Sequence, residues 1–279
     1  MNRTAATPFW RIASAGLVLF AVLVLVYLVL PTLVIVPLSF SSDTFLKFPP
    51  SGFSTRWYES FAASADYHFA ILNSLKIGVP AALVATAFGV MAALAVVRGA
   101  IPFRRTLAAL VIAPLILPQI VLAIGLFPLM AKVGLVGTYP GIVLAHAVVT
   151  MPLVFITVSA ALRNYAPTFE LAAMTLGAGP WRTFLYVTFP MIRPGVIVGF
   201  IFALTFSFDE LILAMFLTSP TTRTVPRLLW EQLNFQMTPV IAAATVVLLG
   251  ATIALLCLAA LTGARARRRL AGEAKGAGA

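Results

Sequence analysis

Long apolar stretches separated by short polar segments make up most of this chain. A transmembrane helix needs about 20 mostly apolar residues. Six stretches reach that length, and they cover about residues 12–38, 70–97, 106–131, 139–162, 191–218 and 239–262. The first stretch is too long for the apolar core of a signal peptide, which holds about 7–15 residues. The pattern predicts an all-α membrane protein with six transmembrane helices in a single domain, residues 1–279.

The composition points to the same class. Of 279 residues, 61% are hydrophobic and 10% are charged, and the mean hydropathy is +1.04. A soluble domain carries roughly 25% charged residues. The net charge of +11 would suit a nucleic-acid partner, but the basic residues lie in short segments between the apolar spans. This distribution is typical of topogenic charge, and it argues against nucleic-acid binding.

The basic residues also predict the orientation. Thirteen of the 19 Lys and Arg residues fall on one side of the six spans, together with both termini. The positive-inside rule therefore places both termini of this multi-pass protein in the cytoplasm. The tail 263–279 holds the run Arg265 to Arg269, which we interpret as an anchor near anionic membrane lipid.

The segment 163–190 between the fourth and fifth spans reads RNYAPTFELAAMTLGAGPWRTFLYVTFP. Apolar residues at helical spacing (Phe169, Ala172, Ala173 and Leu176) predict a short helix that ends at Gly177. Pro180 suits the start of a second short helix, which Pro190 would end. Two helices joined by a glycine turn could dock in a groove of a partner protein. Alternatively, they only shield the ends of the neighbouring spans.

Two adjacent acids, Asp209 and Glu210, fall inside the fifth span. An acid at the centre of a membrane costs roughly 2.5–3.5 kcal/mol on insertion scales. A water-filled or substrate-lined face would explain both acids. The alternatives are pairing with Lys76 or Arg223 near the outer surface, or capping of a broken helix.

The two acids lie on different helix faces. Glu210 shares a stripe of small residues with Ala203, Ser207 and Ala214, which suits close helix packing. Asp209 shares a bulkier face with residues that include Phe202 and Thr205. A carboxylate flanked by aromatic rings can hold an ammonium group, so Asp209 is the expected direct contact of a cationic substrate.

Motifs for catalysis and metal binding are absent from the sequence. It contains no GxxxxGK[ST] phosphate-binding loop, no paired-Cys or metal-spaced His cluster and no GxSxG. We therefore predict no enzymatic activity, no catalytic residues, no metal site and no cofactor.

The segment 163–190 resembles the cytoplasmic signature of ABC importer permeases. That pattern is Glu-Ala-Ala, three residues, Gly, nine residues, then Ile-x-Leu-Pro. Ala172, Ala173 and Gly177 have this spacing, and nine residues later the chain reads Val-Thr-Phe-Pro, ending at Pro190. The glutamate is displaced, because Leu171 occupies its place and Glu170 stands one residue earlier. This shift turns the side chain by about 100° on a helix, so Glu170 is not assigned the usual role.

Other segments are similar to permeases of the spermidine/putrescine type. They are 118–121 (Pro-Gln-Ile-Val), 206–210 (Phe-Ser-Phe-Asp-Glu) and 223–226 (Arg-Thr-Val-Pro). The resemblance implies the type I ABC importer permease fold, in the bacterial inner (cytoplasmic) membrane. It also implies a second permease subunit in a heterodimer, a dimer of cytoplasmic ATPases that binds ATP, and a periplasmic substrate-binding protein.

The implied site residues form two groups. The ATPase-coupling loop would involve Glu170, Leu171, Ala172, Ala173, Gly177, Ala178 and Pro190. The substrate pathway would involve Asp209, Glu210, Gln119, Ser207 and Thr205.

The resemblance implies a small substrate that is either an amine or polyamine-like compound or an amino-acid-like compound. Polyamine permeases tend to have an acid where this chain has Gln119, which favours a singly charged amine or a zwitterion. An importer of the same class for another substrate, such as an aminophosphonate or an iron complex, is an alternative. Two further alternatives are a proton-coupled secondary transporter that uses Asp209 and Glu210, and a membrane scaffold that transports nothing.

Overall fold

The computed structural model describes residues 8–235, 237–254 and 256–257. Within these residues the regular structure is helical, apart from one isolated β-bridge between Ser41 and Phe53. The described residues form two compact units. One contains the residues up to Ser64 together with Gln232–Leu249, and the other contains Ala65–Glu231 together with the residues from Gly250.

The first unit begins with helix α1, Pro8–Ser39. Most of its large apolar side chains between Leu17 and Leu33 are exposed, as expected for a helix whose solvent is lipid. A second helix, α2 (Arg56–Ala63), lies in the interval between the first two predicted spans. It is tied back to α1 by a hydrogen bond of 2.7 Å between Ser39 Oγ and the Tyr58 hydroxyl.

Three long helices form the core of the second unit: α3 (Ala65–Val97), α6 (Tyr139–Arg163) and α9 (Phe189–Asp209). Glycines allow close approach of these helices. A Cβ atom added at Gly89 would lie 2.8 Å from Val154 Cβ, and one added at Gly199 would lie 3.1 Å from Val154 Cα. Small residues at helix contacts are the usual basis of tight packing inside membranes.

The predicted third span, 106–131, is divided into two helices. The structure has α4 (Arg104–Ile116) and α5 (Gln119–Lys132), which are bent by 105° at the break. Pro118 has no N–H to donate, and Leu117 before it has an extended backbone with ψ 139°. Both features are typical of a helix that stops at a proline.

The predicted boundaries around the fifth span also need correction. The second short helix of the segment 163–190 does not end at Pro190. Instead α8 (Pro180–Thr183), a π-helical turn (Phe184–Thr188) and α9 form one helical stretch, Pro180–Asp209. Pro190 has no N–H to donate, and it directly follows the π-helical turn, where the regular hydrogen-bond ladder of the helix is already changed. The first short helix of the segment is α7, Thr168–Thr175, and the glycine turn lies between it and α8.

The sequence predicted a single fifth span, 191–218, with Asp209 and Glu210 inside it. In the structure the helix is broken at these two residues. Helix α9 ends at Asp209, Glu210 has an extended backbone with ψ 106°, and the short helix α10 (Ile212–Leu217) follows. A 3₁₀ turn at Pro220–Thr222 and helix α11 (Val225–Phe235) continue the chain.

Four helical stretches of the described residues are long and apolar enough to cross a membrane, and the bent pair α4–α5 would make a fifth. A shorter apolar helix, α12 (Val240–Ala254), covers most of the predicted sixth span. Residue 255, residues 258–262 and the predicted basic tail 263–279 lie outside the described residues. The prediction of an all-α membrane protein is confirmed.

Candidate functional site

A cavity of about 520 Å³ opens within the second unit, beside the break between α9 and α10. Its walls come from α5, α6 and α9, so the bends at Pro118 and Glu210 both shape it. The lining residues combine aromatic and polar side chains: Gln119, Leu153, Phe202, Thr205, Phe206, Asp209 and Glu210. Four of the five predicted pathway residues therefore line one cavity: Gln119, Thr205, Asp209 and Glu210.

Glu210 is buried, and both of its carboxylate oxygens accept hydrogen bonds. The backbone N–H of Leu213 donates to Oε1 over 3.0 Å, and Gln119 Nε2 donates to Oε2 over 2.9 Å. A carboxylate that accepts a hydrogen bond from the first turn of a helix satisfies a free N–H, and its negative charge interacts favourably with the positive end of the helix dipole. Glu210 therefore caps α10, and capping of a broken helix was one of the alternatives for these acids. Glu210 also holds the Gln119 side chain in place through the hydrogen bond from Nε2.

Asp209 has a different environment, although it is the adjacent residue. Its side chain is exposed and lines the cavity. Within the described part of the chain, its carboxylate forms neither an ion pair nor a hydrogen bond to another side chain. One turn earlier, Thr205 Oγ1 is buried and has no hydrogen-bond partner among the described residues. The cavity wall thus carries two polar groups whose hydrogen-bonding capacity is unused.

Ser207, the fifth predicted pathway residue, faces away from this cavity. Its Oγ lies 2.8 Å from His146 Nδ1 of α6, and both side chains are buried. The structure places Ser207 at the packing contact between α6 and α9. The stripe of small residues predicted for this face, including Ala203 and Ala214, is buried as well.

The basic residues proposed as alternative partners of the two acids are engaged elsewhere. Arg223 forms ion pairs with Asp66 at 3.0 Å and with Glu231 at 3.2 Å. Lys76 Nζ lies 5.8 Å from the centre of the Tyr139 ring. Among the described residues, no basic side chain forms an ion pair with Asp209 or Glu210.

The segment that resembles the permease signature has the helix–glycine–helix form that the sequence predicted. Gly177 has a φ of +88°, in the left-handed region. Its N–H donates to Met174 O over 2.9 Å, and the N–H of Ala178 donates to Ala173 O over 3.0 Å. This pair of bonds is a Schellman motif, for which glycine is the preferred residue because it has no Cβ.

Glu170 points inward from α7 and anchors this helix to the bundle. Its Oε2 lies 3.0 Å from Arg98 Nε, and Thr188 Oγ1 donates to its Oε1 over 2.7 Å. The hydroxyl of Tyr165 donates to the same carboxylate. Burial, and to a smaller extent this bond with Glu170, raises the pKa of the Tyr165 hydroxyl, so Tyr165 remains a donor at neutral pH.

Arg98 completes the anchor from the end of α3. Its Nη2 donates to Leu162 O over 2.8 Å and to Tyr165 O over 3.1 Å, at the end of α6. From the sequence, Arg98 was one of the basic residues that predict the orientation, and Glu170 had no predicted partner. No local pattern indicates this pair, because the two residues are 72 positions apart.

The outer surface of this segment is apolar. None of the side chains of α7 is buried, and the exposed large apolar residues of α7, α8 and the π-helical turn include Phe169, Leu171, Met174, Leu176, Trp181 and Tyr186. We call this set the coupling surface. Contiguous exposed apolar residues commonly mark a site of protein–protein contact.

Comparison with known proteins agrees with this architecture. The chain is 32% identical over 232 residues to the putrescine transport system permease protein PotI of Escherichia coli (strain K12), covering 81% of this chain and 82% of that protein. It is 26% identical over 242 residues to the spermidine/putrescine transport system permease protein PotC of Haemophilus influenzae, covering 87% and 94%. It is also 32% identical over 200 residues to the trehalose transport system permease protein SugB of Mycobacterium tuberculosis, covering 71% and 73%.

A solved structure shares the fold. The chain matches the crystal structure of a bacterial ABC transporter involved in the import of the acidic polysaccharide alginate, with a TM-score of 0.70 and 16% identity over 90% of this chain and 96% of that one. This match confirms the predicted ABC importer permease fold. Residues 85–268 match the family described as the binding-protein-dependent transport system inner membrane component. The resemblance seen in the sequence is therefore confirmed, and the chain belongs to this family of importer permeases.

Proposed function

We propose that this permease carries a small cationic amine, and that the unpaired Asp209 carboxylate in the intramembrane cavity binds its ammonium group. The observation that carries the proposal is the lack of a partner for the Asp209 carboxylate within the part of the chain that the structure describes. A carboxylate at membrane depth normally finds a partner within the protein, and Asp209 has none among the described residues. An ammonium group in the cavity would supply the missing positive charge and would donate to Thr205 Oγ1 or to the carboxylate.

The aromatic residues of the cavity favour the same ligand. Phe202 and Phe206 line the wall beside Asp209, and aromatic faces attract cations when water is excluded. The names of the relatives PotI and PotC, which are putrescine and spermidine/putrescine permeases, support an amine. The trehalose permease SugB belongs to the same set of relatives, so the residues of the site must carry the choice of substrate.

The number of available carboxylates favours one ammonium group at this site. Both oxygens of Glu210 already accept hydrogen bonds, from Leu213 N–H and from Gln119. Of the two acids that line the cavity, only Asp209 has carboxylate oxygens without a hydrogen bond to the described residues, so its oxygens are the ones available to an ammonium group. A monoamine, an amino-acid-like zwitterion or one end of a diamine would match this arrangement, and a polyamine with several charges inside the cavity would not.

The chain would work as one half of a heterodimeric pore. We place both termini and the coupling surface in the cytoplasm, where a dimer of ATPases would bind and hydrolyse ATP. The coupling surface is apolar and ordered by the Gly177 turn and the Glu170 anchor, as a docking element requires. On the opposite side of the membrane a periplasmic binding protein would deliver the substrate.

Uptake measurements on Asp209→Asn test the proposal. The chain is co-expressed with its companion subunits, and uptake of radiolabelled putrescine is measured in cells and in proteoliposomes. Because a charge-assisted contact contributes roughly 1.5–3 kcal/mol, we expect uptake to fall about 10- to 100-fold. Glu59→Gln, which removes an exposed acid on α2, should leave uptake unchanged.

Two further measurements make the result decisive. Asp209→Asn should insert in the membrane and co-purify with the ATPase as the wild type does. A variant that transports at the wild-type rate would refute the assignment of Asp209, and transport by the wild type without any ATPase would refute the importer mechanism.

A further inference from the structure

A second cavity of about 520 Å³ lies at the end of the bundle that carries α7. It is formed where α3 ends, α4 begins and α6 ends. Four arginines line it: Arg98, Arg104, Arg105 and Arg163. They come from two segments that are about 60 residues apart in the sequence, so the fold, and not one basic run, brings them together.

Three of these arginines are available to a ligand. Arg98 is held by Glu170 and by two backbone carbonyls. Arg104, Arg105 and Arg163 are exposed, and within the described residues their side chains make no hydrogen bond or ion pair. Like charges around one cavity repel each other, and an anion that several guanidinium groups can share would relieve this repulsion. Phosphate oxygens match the guanidinium fork, and one phosphate group can be shared between several arginines.

The position of the cavity favours the headgroup of a lipid as the source of the phosphate group. Arg104 is the first residue of α4, and Arg163 is the last residue of α6. Both helices belong to the membrane-spanning set or to the bent pair, so the cavity lies at the level of the lipid headgroups. Farther along α4, Leu110 is 65% exposed. Its side chain offers an apolar contact for an acyl chain.

We propose that the arginine-lined cavity is a binding site for the phosphate headgroup of an anionic phospholipid. The requirement for basic residues on one side of the membrane does not explain this arrangement, because topogenic charge needs only to lie near the span ends. Basic pockets between transmembrane helices are known to hold anionic headgroups. The proposal uses the family assignment and the geometry of the described residues, and it does not depend on the substrate of the permease.

Native mass spectrometry of the purified full chain tests the site. The protein is released from detergent in the presence of phosphatidylglycerol, of phosphatidylcholine or of inorganic phosphate, and the bound adducts are counted. We expect retention of phosphatidylglycerol but not of phosphatidylcholine. The double variant Arg104→Gln/Arg163→Gln should bind phosphatidylglycerol roughly 10- to 30-fold more weakly, because each basic residue contributes about fivefold.

A second double variant, which loses the same number of arginines outside the cavity, controls for the loss of charge. Arg182→Gln/Arg193→Gln removes two exposed arginines from the same end of the bundle but outside the cavity, and it should retain the lipid. Equal loss in both double variants would overturn the site in favour of general surface charge. Retention of inorganic phosphate in place of the lipid would overturn the lipid as ligand. A cavity variant that binds lipid normally but no longer co-purifies with the ATPase would also overturn it, in favour of an acidic protein partner.

Discussion

Arg98 Nε lies 3.0 Å from Oε2 of Glu170, and this ion pair fastens the first turn of α7 to the end of α3. Both side chains are mostly shielded, with 19% and 13% of their area exposed. The same glutamate accepts from Thr188 next to the start of α9. One side chain therefore links the coupling surface to two of the three core helices.

Removal of this link should loosen α7 without unfolding the bundle. We expect Glu170→Gln to weaken the anchor by about 1–3 kcal/mol, since it leaves a partly buried guanidinium without its counter-charge. Hydrogen exchange of the α7 amides should increase accordingly. The double-mutant cycle of Arg98→Ala and Glu170→Ala should show a coupling energy of the same size. Additive effects of the two changes would contradict a direct link.

The Gly177 turn gives a second test with a close control. Gly177→Val places a β-branched side chain at a φ of +88°, which costs roughly 1–2 kcal/mol or more. Gly179→Val changes a glycine with a φ of −68°, and neither position has an atom within 4 Å of an added Cβ. We expect only the Gly177 variant to lose co-purification with the ATPase. Equal behaviour of both variants would show that the left-handed turn is not required.

Asp209 and Glu210 should differ in what their loss affects. Glu210→Ala removes the cap of α10 and leaves Gln119 without its acceptor, so we expect a loss of about 1–3 kcal/mol in stability. Asp209→Ala removes no contact among the described residues and should leave the melting temperature nearly unchanged while uptake falls. Thermal unfolding in detergent, measured beside uptake, separates the two roles. A melting temperature that falls equally in both variants would contradict this division.

The helix contacts in the core predict an effect of glycine replacement. A Cβ at Gly199 would meet Thr157 Oγ1 at 2.5 Å and Val154 Cα at 3.1 Å, so Gly199→Ala should destabilise the bundle by about 1–3 kcal/mol. Gly125 in α5 has open space around it, and Gly125→Ala should be neutral or slightly stabilising because alanine favours helices. The melting temperatures of the two variants provide the comparison.

The proposed orientation can be tested with reporter fusions. A reporter fused after Arg105 should be active in the cytoplasm, and one fused near Ser60 should be active in the periplasm. The expectation follows from the positive-inside rule. The opposite pattern would place the coupling surface outside the cell and would contradict ATPase docking there.

Features that depend on a few neighbouring residues could be predicted from the sequence. The turn at Gly177 and the helix before it follow from local pattern, and the structure has both. The different faces of Ser207 and Thr205 follow from helical periodicity, which explains why one packs against His146 and the other lines the cavity. Pro118 inside the third span is a local signal for an interrupted helix, but the size of the bend depends on tertiary packing that no local pattern records.

Features that join distant segments could not be predicted. Glu170 and Arg98 meet only because α3 and α6 end at the same level, and the arginine-lined cavity depends on the same alignment. The pairing of Gln119 with Glu210 needs both the bend at Pro118 and the break after Asp209. The break after Asp209 was only an alternative and the bend at Pro118 was not predicted, so the contact between Gln119 and Glu210 could not be predicted.

The continuous helical path from Pro180 to Asp209, through the π-helical turn, has a mechanical consequence. Its 30 residues span about 45 Å at 1.5 Å per residue, with Trp181 near one end and the cavity carboxylate at the other. If the stretch tilted as one body by roughly 5° about one end, the other end would move by roughly 4 Å, which exceeds the length of a hydrogen bond. Movement at Trp181 would then change the position of Asp209, the proposed contact of the substrate.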